Sequence, residues 1–132
     1  MYSVHIPPVD TLNRWKDRIN RIGDRVNHPE LFSDIKKACL KKRAFFFAFE
    51  KGFFVLRPRP SSVLVWAAAS YSPVNRLAVQ SQIEDLVREI GGQCIEFWTV
   101  RPGFNRVARS LGYSPRPDIW RGIPVTVWRK TL

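Results

Sequence analysis

"SVLVWAAASYSPVNRLAVQSQIEDLVREIGGQCIEFWTV", residues 62–100, decides how this chain folds. Its first nine residues, 62–70, are almost wholly apolar and β-type, as expected of a central strand covered on both faces. A helix follows, with Val79, Ile83, Leu86, Val87 and Ile90 as its apolar stripe and Gly91–Gly92 as its stop. Residues 94–100, "CIEFWTV", read as the next strand. The stretch is therefore a strand–helix–strand crossover. A strand running into a helix N-terminus is also where many folds hold a phosphate, usually over glycines. Here no glycine lies between Gly52 and Gly91.

Upstream of the crossover, "AFFFAFE" (44–50) and "FFVLRP" (53–58) are two further strands, joined by the hairpin-like "EKG". Before them come two helices. The first is capped by Asp10 or Thr11 and runs to about Val26, with Leu12, Trp15, Ile19, Ile22 and Val26 on one face. The second restarts near Asn27, His28 and Pro29, with Leu31, Phe32, Ile35, Ala38 and Cys39 inward. "YSVHI" (2–6) alternates weakly and reads as a short first strand, ended by Pro7 and Pro8. Downstream, residues 101–113 form a short helix ending at Gly112, and "IPVTVWRK" (123–130) is the last strand. The order β-α-α-β-β-β-α-β-α-β implies an α/β fold of the α+β type, a mixed sheet with helices on both faces. At 132 residues, 1–132 is most simply one domain, large enough for a core without disulfide or metal staples.

Charge is the compositional outlier, with 22 Lys and Arg against 11 Asp and Glu, a net +11. Such an excess speaks to partners rather than fold: DNA, an acidic protein surface or an anionic ligand. Arg14, Arg18, Arg21 and Arg25 share one helix face, and Lys41, Lys42 and Arg43 cluster where the second helix ends. Arg57, Arg59, Arg101, Arg106 and Arg109 add to the set. "RPRPSS" (57–62) and "SPRPDIWRG" (114–122) are expected to be exposed connections that could dock a partner through Trp120. Cys39 and Cys94 sit in apolar patterns and read as buried free thiols of a reducing compartment. No apolar run reaches the ~18 residues of a membrane span, and no signal peptide is indicated. The expected location is cytoplasm or a virion packaged from it, with no membrane partner and no metal.

The element order, with "REIGGQCIEFWTVRPGFNRVARSLGY" (88–113), resembles the GNAT family of acyl-CoA N-acyltransferases. Leu111, Gly112 and Tyr113 stand at that family's Leu-Gly-aromatic signature. The resemblance implies a coenzyme pyrophosphate cradled by backbone N–H groups at the start of the central helix, over an Arg/Gln-x-x-Gly-x-Gly/Ala loop. Counting back from Gly91 or Gly92 places Val74 and Arg76, or Asn75 and Leu77, at the two glycine positions. Ser72, Asn75 and Arg76 are then the candidate phosphate contacts. The tyrosine that many members use to protonate the leaving thiolate falls on Ala108, and the family's asparagine on Arg101. Residues 62–70 hold no carboxylate or histidine to act as a base. Glu50 and Glu96 are expected at an edge or in a salt bridge, and His5 and His28 at the surface or in caps.

With these features missing, the chain resembles degenerate bacteriophage-encoded members of the fold. Three expectations follow. The first is a non-catalytic GNAT-like structural or interaction protein without cofactor, a virion or DNA-handling component whose expected partners are an acidic protein surface such as a phage assembly ring, or DNA. The second is an acyltransferase, or a Mom-like DNA-modifying relative, using acetyl-CoA through an atypical loop. The third is a basic nucleic-acid-binding module.

Overall fold

The computed structural model describes residues 3–71, 73–100 and 102–132, with Pro102 in its backbone only. The chain opens with a 3-10 turn, Val9–Trp15, that runs directly into α1, Lys16–Arg25. Pro8 rather than Asp10 or Thr11 takes the cap position, and the Thr11 hydroxyl donates to the Pro8 carbonyl at 2.6 Å. A tight turn then leads to α2, Leu31–Leu40. That turn closes on Gly23, where a Cβ would lie 2.4 Å from the His28 carbonyl oxygen. Only a residue without a side chain lets the two backbones meet there.

Six strands follow: β1 Phe45–Phe49, β2 Gly52–Pro58, β3 Val63–Ser70, β4 Cys94–Thr99, β5 Ser114–Trp120 and β6 Ile123–Thr131. They form one mixed sheet in the order β1-β2-β3-β4-β6-β5, parallel between β3 and β4 alone and antiparallel elsewhere. The crossover helix α3, Arg76–Glu89, joins β3 to β4, and Gly91 at φ +81° ends it. A 3-10 turn, Pro102–Phe104, and α4, Asn105–Ser110, connect β4 to β5.

Helices cover both faces, as the pattern of apolar residues requires. Leu12, Trp15, Ile19, Leu31 and Ile35 pack on Phe46, Phe53, Val55 and Ala67 on one side. Ile83, Val87, Ala108 and Tyr113 pack on Phe47, Phe54, Leu56, Ile95 and Trp128 on the other. Each such side chain taken fully from water contributes roughly 1.5–3 kcal/mol.

Three expectations need correction. Of the proposed first strand, Tyr2 lies outside the described residues and the rest makes a single bridge, His5 to Ala48, because Pro7 and Pro8 stop the pairing. "SPRPDIWRG" is largely a strand, β5, rather than a connection. It lies at the sheet edge, where one row of N–H groups faces away from β6, so Pro115 and Pro117 leave no gap in the ladder. Ile90, which caps the end of α3, is 52% exposed, while Gln80 within the helix is buried because its amide is held by Tyr113 and Glu84.

Candidate active site

The parallel pairing of β3 and β4 is short: Val63 faces Ile95, Leu64 faces Glu96, and the ladder ends there. On the other edge of β3, Val55 pairs with Ala67 and Leu56 with Val65, which leaves Trp66 as an extra residue in a bulge. A bulge bends its strand and sharpens the local twist. Beyond Leu64, β3 and β4 line the two sides of a cleft of about 370 Å³, between Trp66–Ser70 and Phe97–Thr99. The main-chain groups of β3 on that side have no strand to pair with among the described residues.

The cleft passes through the sheet. On the α3 side it meets a hollow of about 480 Å³ at the start of α3, with Ser70, Val74, Arg76 and Leu111 common to both. On the α1–α2 side it meets a hollow of about 680 Å³, with Ile22, Val65, Trp66 and Trp98 common to both. Two ligands could therefore approach each other from opposite faces.

At the α3 end, Asn75 is the N-cap, and its Oδ1 accepts from the Ala78 N–H at 3.1 Å. The N–H groups of Arg76 and Leu77, the first two helical residues, have no carbonyl a turn behind them. Arg76 is exposed, its guanidinium 6.0 Å from the Phe104 ring, and borders both cleft and hollow. Val74 packs partly against the core cluster, so the glycine-free loop leaves the helix start open. Ser72, the third phosphate candidate, and Arg101 lie outside the described residues.

The basic residues singled out by sequence divide into two groups. Lys41, Arg43, Arg57, Arg59 and Trp120 come together around the larger hollow, joined by Lys37 and Arg121 and by Trp66 and Trp98, two tryptophans that the sequence reading gave no binding role. Arg14, Arg18, Arg21, Arg25 and Lys42 do not line it. Arg18 is spent internally, donating to the Ser70 carbonyl and tying α1 to the end of β3. Arg106 and Arg109 are exposed on α4, Arg109 with its guanidinium 5.8 Å from the Trp128 ring.

His28 was expected in a cap or at the surface; it is buried in the wall of this hollow. Its Nε2 lies 2.8 Å from Asp34 Oδ2. With Nε2–H donating to that carboxylate, a tautomer assigned from the hydrogen bond, Nδ1 keeps a lone pair. The rim is held by Arg121, which donates to the Asn27 carbonyl at 3.3 Å and to Glu30 at 3.1 Å. That hydrogen bond holds the Glu30 carboxyl below its ordinary range. Asn27 and Arg121 both have left-handed backbones, φ +57° and +50°. Non-glycine residues adopt such φ at some cost, and they gather at functional sites.

Two carboxylates are structural: Glu50 accepts from the Ser3 N–H at 2.8 Å, and Glu96 pairs with Arg129 at 3.0 Å. Burial pushes the Cys39 thiol up to about 11, which keeps it protonated and inert at neutral pH. Among the described residues no group of three His, Cys, Asp or Glu could hold a metal ion, and no helix is long and apolar enough to cross a membrane.

Position 108 holds no phenol, and the phenol nearest to it in sequence is that of Tyr113. Ala108 is buried, and Tyr113 lines the cleft with its hydroxyl donating to Gln80 Oε1 at 3.1 Å. The Gln80 amide donates to Glu84 at 2.9 Å, and Lys130 donates to Glu84 at 2.8 Å. Burial raises Glu84, yet the hydrogen bonds from Lys130 and Gln80 prevail and hold it below its ordinary range. Burial, opposed by the Gln80 hydrogen bond and assisted by the Glu84 charge, pushes the Tyr113 phenol up to about 12. Burial thus favours the protonated fold. That contribution is whole below pH ~10 and is lost as pH rises toward about 12. Urea unfolding at pH ~9 and ~11.5 should show Tyr113→Phe losing about 2 kcal/mol less stability than the native chain. Equal losses would mean the phenol is not buried as described.

No protein-family model and no curated protein sequence matches the chain. Solved structures do. A GNAT-family acetyltransferase from Listeria monocytogenes superposes with a TM-score of 0.71 at 12% identity, covering 99% of this chain and 95% of that one. The PaiA N-acetyltransferase from Thermoplasma acidophilum, in complex with coenzyme A, gives 0.69 at 9% identity over 100% and 99%. An aminoglycoside acetyltransferase, also with coenzyme A, gives 0.67 at 11% identity over 99% and 95%. These neighbours overturn the expectation of a non-catalytic, cofactor-free structural component. All three share this architecture nearly end to end and are described as acetyltransferases, and two of them hold coenzyme A. The chain has the fold of the GNAT acetyltransferases.

Proposed function

We propose that the chain is an acyl-CoA-dependent N-acetyltransferase. The observation that carries this reading is the splay of β3 from β4. It opens a passage from the start of α3, through the sheet, to a hollow on the opposite face. Acetyl-CoA fits that passage by chemistry. Its pyrophosphate is an anion suited to the first N–H groups of α3 and to Arg76. Its amide-bearing arm can pair with the free main chain of β3, as an added strand would. Bound there, the coenzyme supplies an activated thioester whose acyl group passes to an amine.

The chain's own residues do the rest. An N–C bond forms as the C–S bond breaks, so the amine must shed a proton and the departing sulfur must gain one. Tyr113, protonated at physiological pH and set in the cleft wall, is the acid. His28, oriented by Asp34 in the wall of the acceptor hollow, takes the amine proton directly or through water. The main-chain groups of β3 beyond Leu64, on the edge where the ladder to β4 has ended, are available to the thioester oxygen.

A thermal-shift titration tests the reading. Acetyl-CoA at a hundred times its Kd should stabilise the fold by ~2.7 kcal/mol. Arg76→Ala should weaken binding about tenfold, the loss of one charge-assisted contact, with the ligand-free fold unchanged. No shift at millimolar acetyl-CoA would refute the assignment.

A further inference from the structure

The larger hollow differs in character from the coenzyme passage. Six cationic side chains border it, Lys37, Lys41, Arg43, Arg57, Arg59 and Arg121, the last of them paired with the Glu30 carboxylate at the rim. Asp34 is the lone carboxylate among its described lining residues, and it is engaged with His28. A surface this one-signed attracts anions and repels polycations. Polycationic aminoglycosides, the substrates named for one structural neighbour, are therefore unsuited to this site.

Three tryptophans share the same walls. Trp66 carries the Arg57 guanidinium 4.6 Å from its ring centroid, and Trp120 carries Arg121 at 5.4 Å. Trp98 lies against Trp120 with ring centroids 5.0 Å apart. All three side chains are half-buried, so their rings are fixed while part of each surface stays open. Flat aromatic surfaces beside guanidinium groups match a ligand that alternates planar rings with negative charges. A nucleotide chain does so, whereas an acidic peptide offers charge without rings. Single strands suit such a hollow better than a duplex, whose bases are already stacked on one another.

We infer that this hollow binds single-stranded nucleic acid, with the cations on phosphates and a base stacked on the tryptophans. Resting on the acetyltransferase reading, the inference makes the acceptor a nucleotide amine. Ile22, Val65, Trp66 and Trp98 border both hollow and cleft, so a bound base would lie at the mouth of the passage that carries the acyl group.

Anisotropy of a fluorescein-labelled single-stranded octanucleotide, DNA and RNA in parallel, tests this with no coenzyme present. Expected is saturable binding whose log affinity falls with log salt at about −0.7 per phosphate neutralised, with quenching of tryptophan fluorescence. Lys41→Ala with Arg59→Ala should flatten the slope by about 1.4. Trp120→Ala should weaken binding at least about fivefold, the loss of one stacked base. Arg14→Ala with Arg25→Ala, exposed residues of the opening 3-10 turn and of α1 that do not line the hollow, should change neither slope nor affinity by more than about twofold. If that pair weakens binding as much as the hollow variants do, the attraction belongs to the net charge and the site is refuted. Equal competition by a polyglutamate of matching charge, without quenching, would make the partner an acidic peptide and would also refute it. Absence of oligonucleotide binding while acetyl-CoA still stabilises the protein would remove this inference and leave the enzyme assignment standing.

Discussion

Replacing Trp128 by alanine should cost about 3–5 kcal/mol of stability, the range for emptying a large core aromatic site. Trp128 is fully buried in β6, stacked near Phe97 with ring centroids 6.3 Å apart. Its indole N–H donates to Thr99 Oγ1 at 2.9 Å. Alanine would leave a void under α4 and an unpaired hydroxyl at the end of β4. Against the ~5–15 kcal/mol that holds an ordinary domain together, the loss is a large share. It should appear as a fall in melting temperature of roughly 10–20 °C. Leu40→Ala, at a side chain 62% exposed, is the control and should stay within about 0.5 kcal/mol. A cost under 1 kcal/mol for Trp128→Ala would mean that the core on the α3 face is not packed as described. Phe97 also lines the cleft, so the variant should bind acetyl-CoA less well where it still folds.

His28→Gln should lower turnover by about a hundredfold or more, the usual contribution of a positioned general base. Glutamine can still donate to Asp34, so the turn between α1 and α2 is preserved and the loss reflects chemistry rather than unfolding. Turnover is read as coenzyme A released with the best acceptor from a panel of amines that includes amino-bearing nucleotides. Two further readouts separate a base from a structural prop. The fall should lie in kcat more than in KM, and the pH–rate profile should lose its rising acidic limb. Asp34→Asn, which removes the carboxylate orienting the ring, should give a smaller fall of the same kind. Unchanged kcat in His28→Gln would remove His28 from the mechanism.

The crossover was legible from residues 62–100 because its signals are local. An apolar run, an amphipathic stripe and a glycine stop each constrain the chain within a few residues. Strand β5 was not legible, since two prolines and three charged or hydroxylated side chains in "SPRPDIW" imitate a loop. Its strand character comes from β6, paired with it along its whole length. The splay of β3 from β4 was hidden for a related reason. It depends on a bulge at Trp66 and on where a parallel ladder stops, and both are set by partners distant in sequence.

The same limit explains the error over function. Missing glycines at residues 74–77 were counted as a missing cofactor loop, yet the opening there is formed by α3, α4 and the end of β3 together. Likewise position 108, where the family's phenol was sought, holds a buried alanine. Tyr113, read in sequence as the aromatic of the Leu-Gly-aromatic signature, reaches the cleft from just beyond α4. His28 and Asp34, six residues apart across the start of a helix, carried no spacing signal that marks a dyad. The basic clusters were visible in sequence, but only the fold sorts Arg57 and Arg59 into the hollow and leaves Arg14 and Arg25 outside it.

Amide hydrogen exchange with and without saturating acetyl-CoA tests most directly whether the β3–β4 cleft is the coenzyme site. The free main chain of Trp66–Ser70 and the first N–H groups of α3, at Arg76 and Leu77, should exchange at least about tenfold more slowly when the coenzyme is present. Unchanged exchange at these positions, with or without protection elsewhere, would contradict the account.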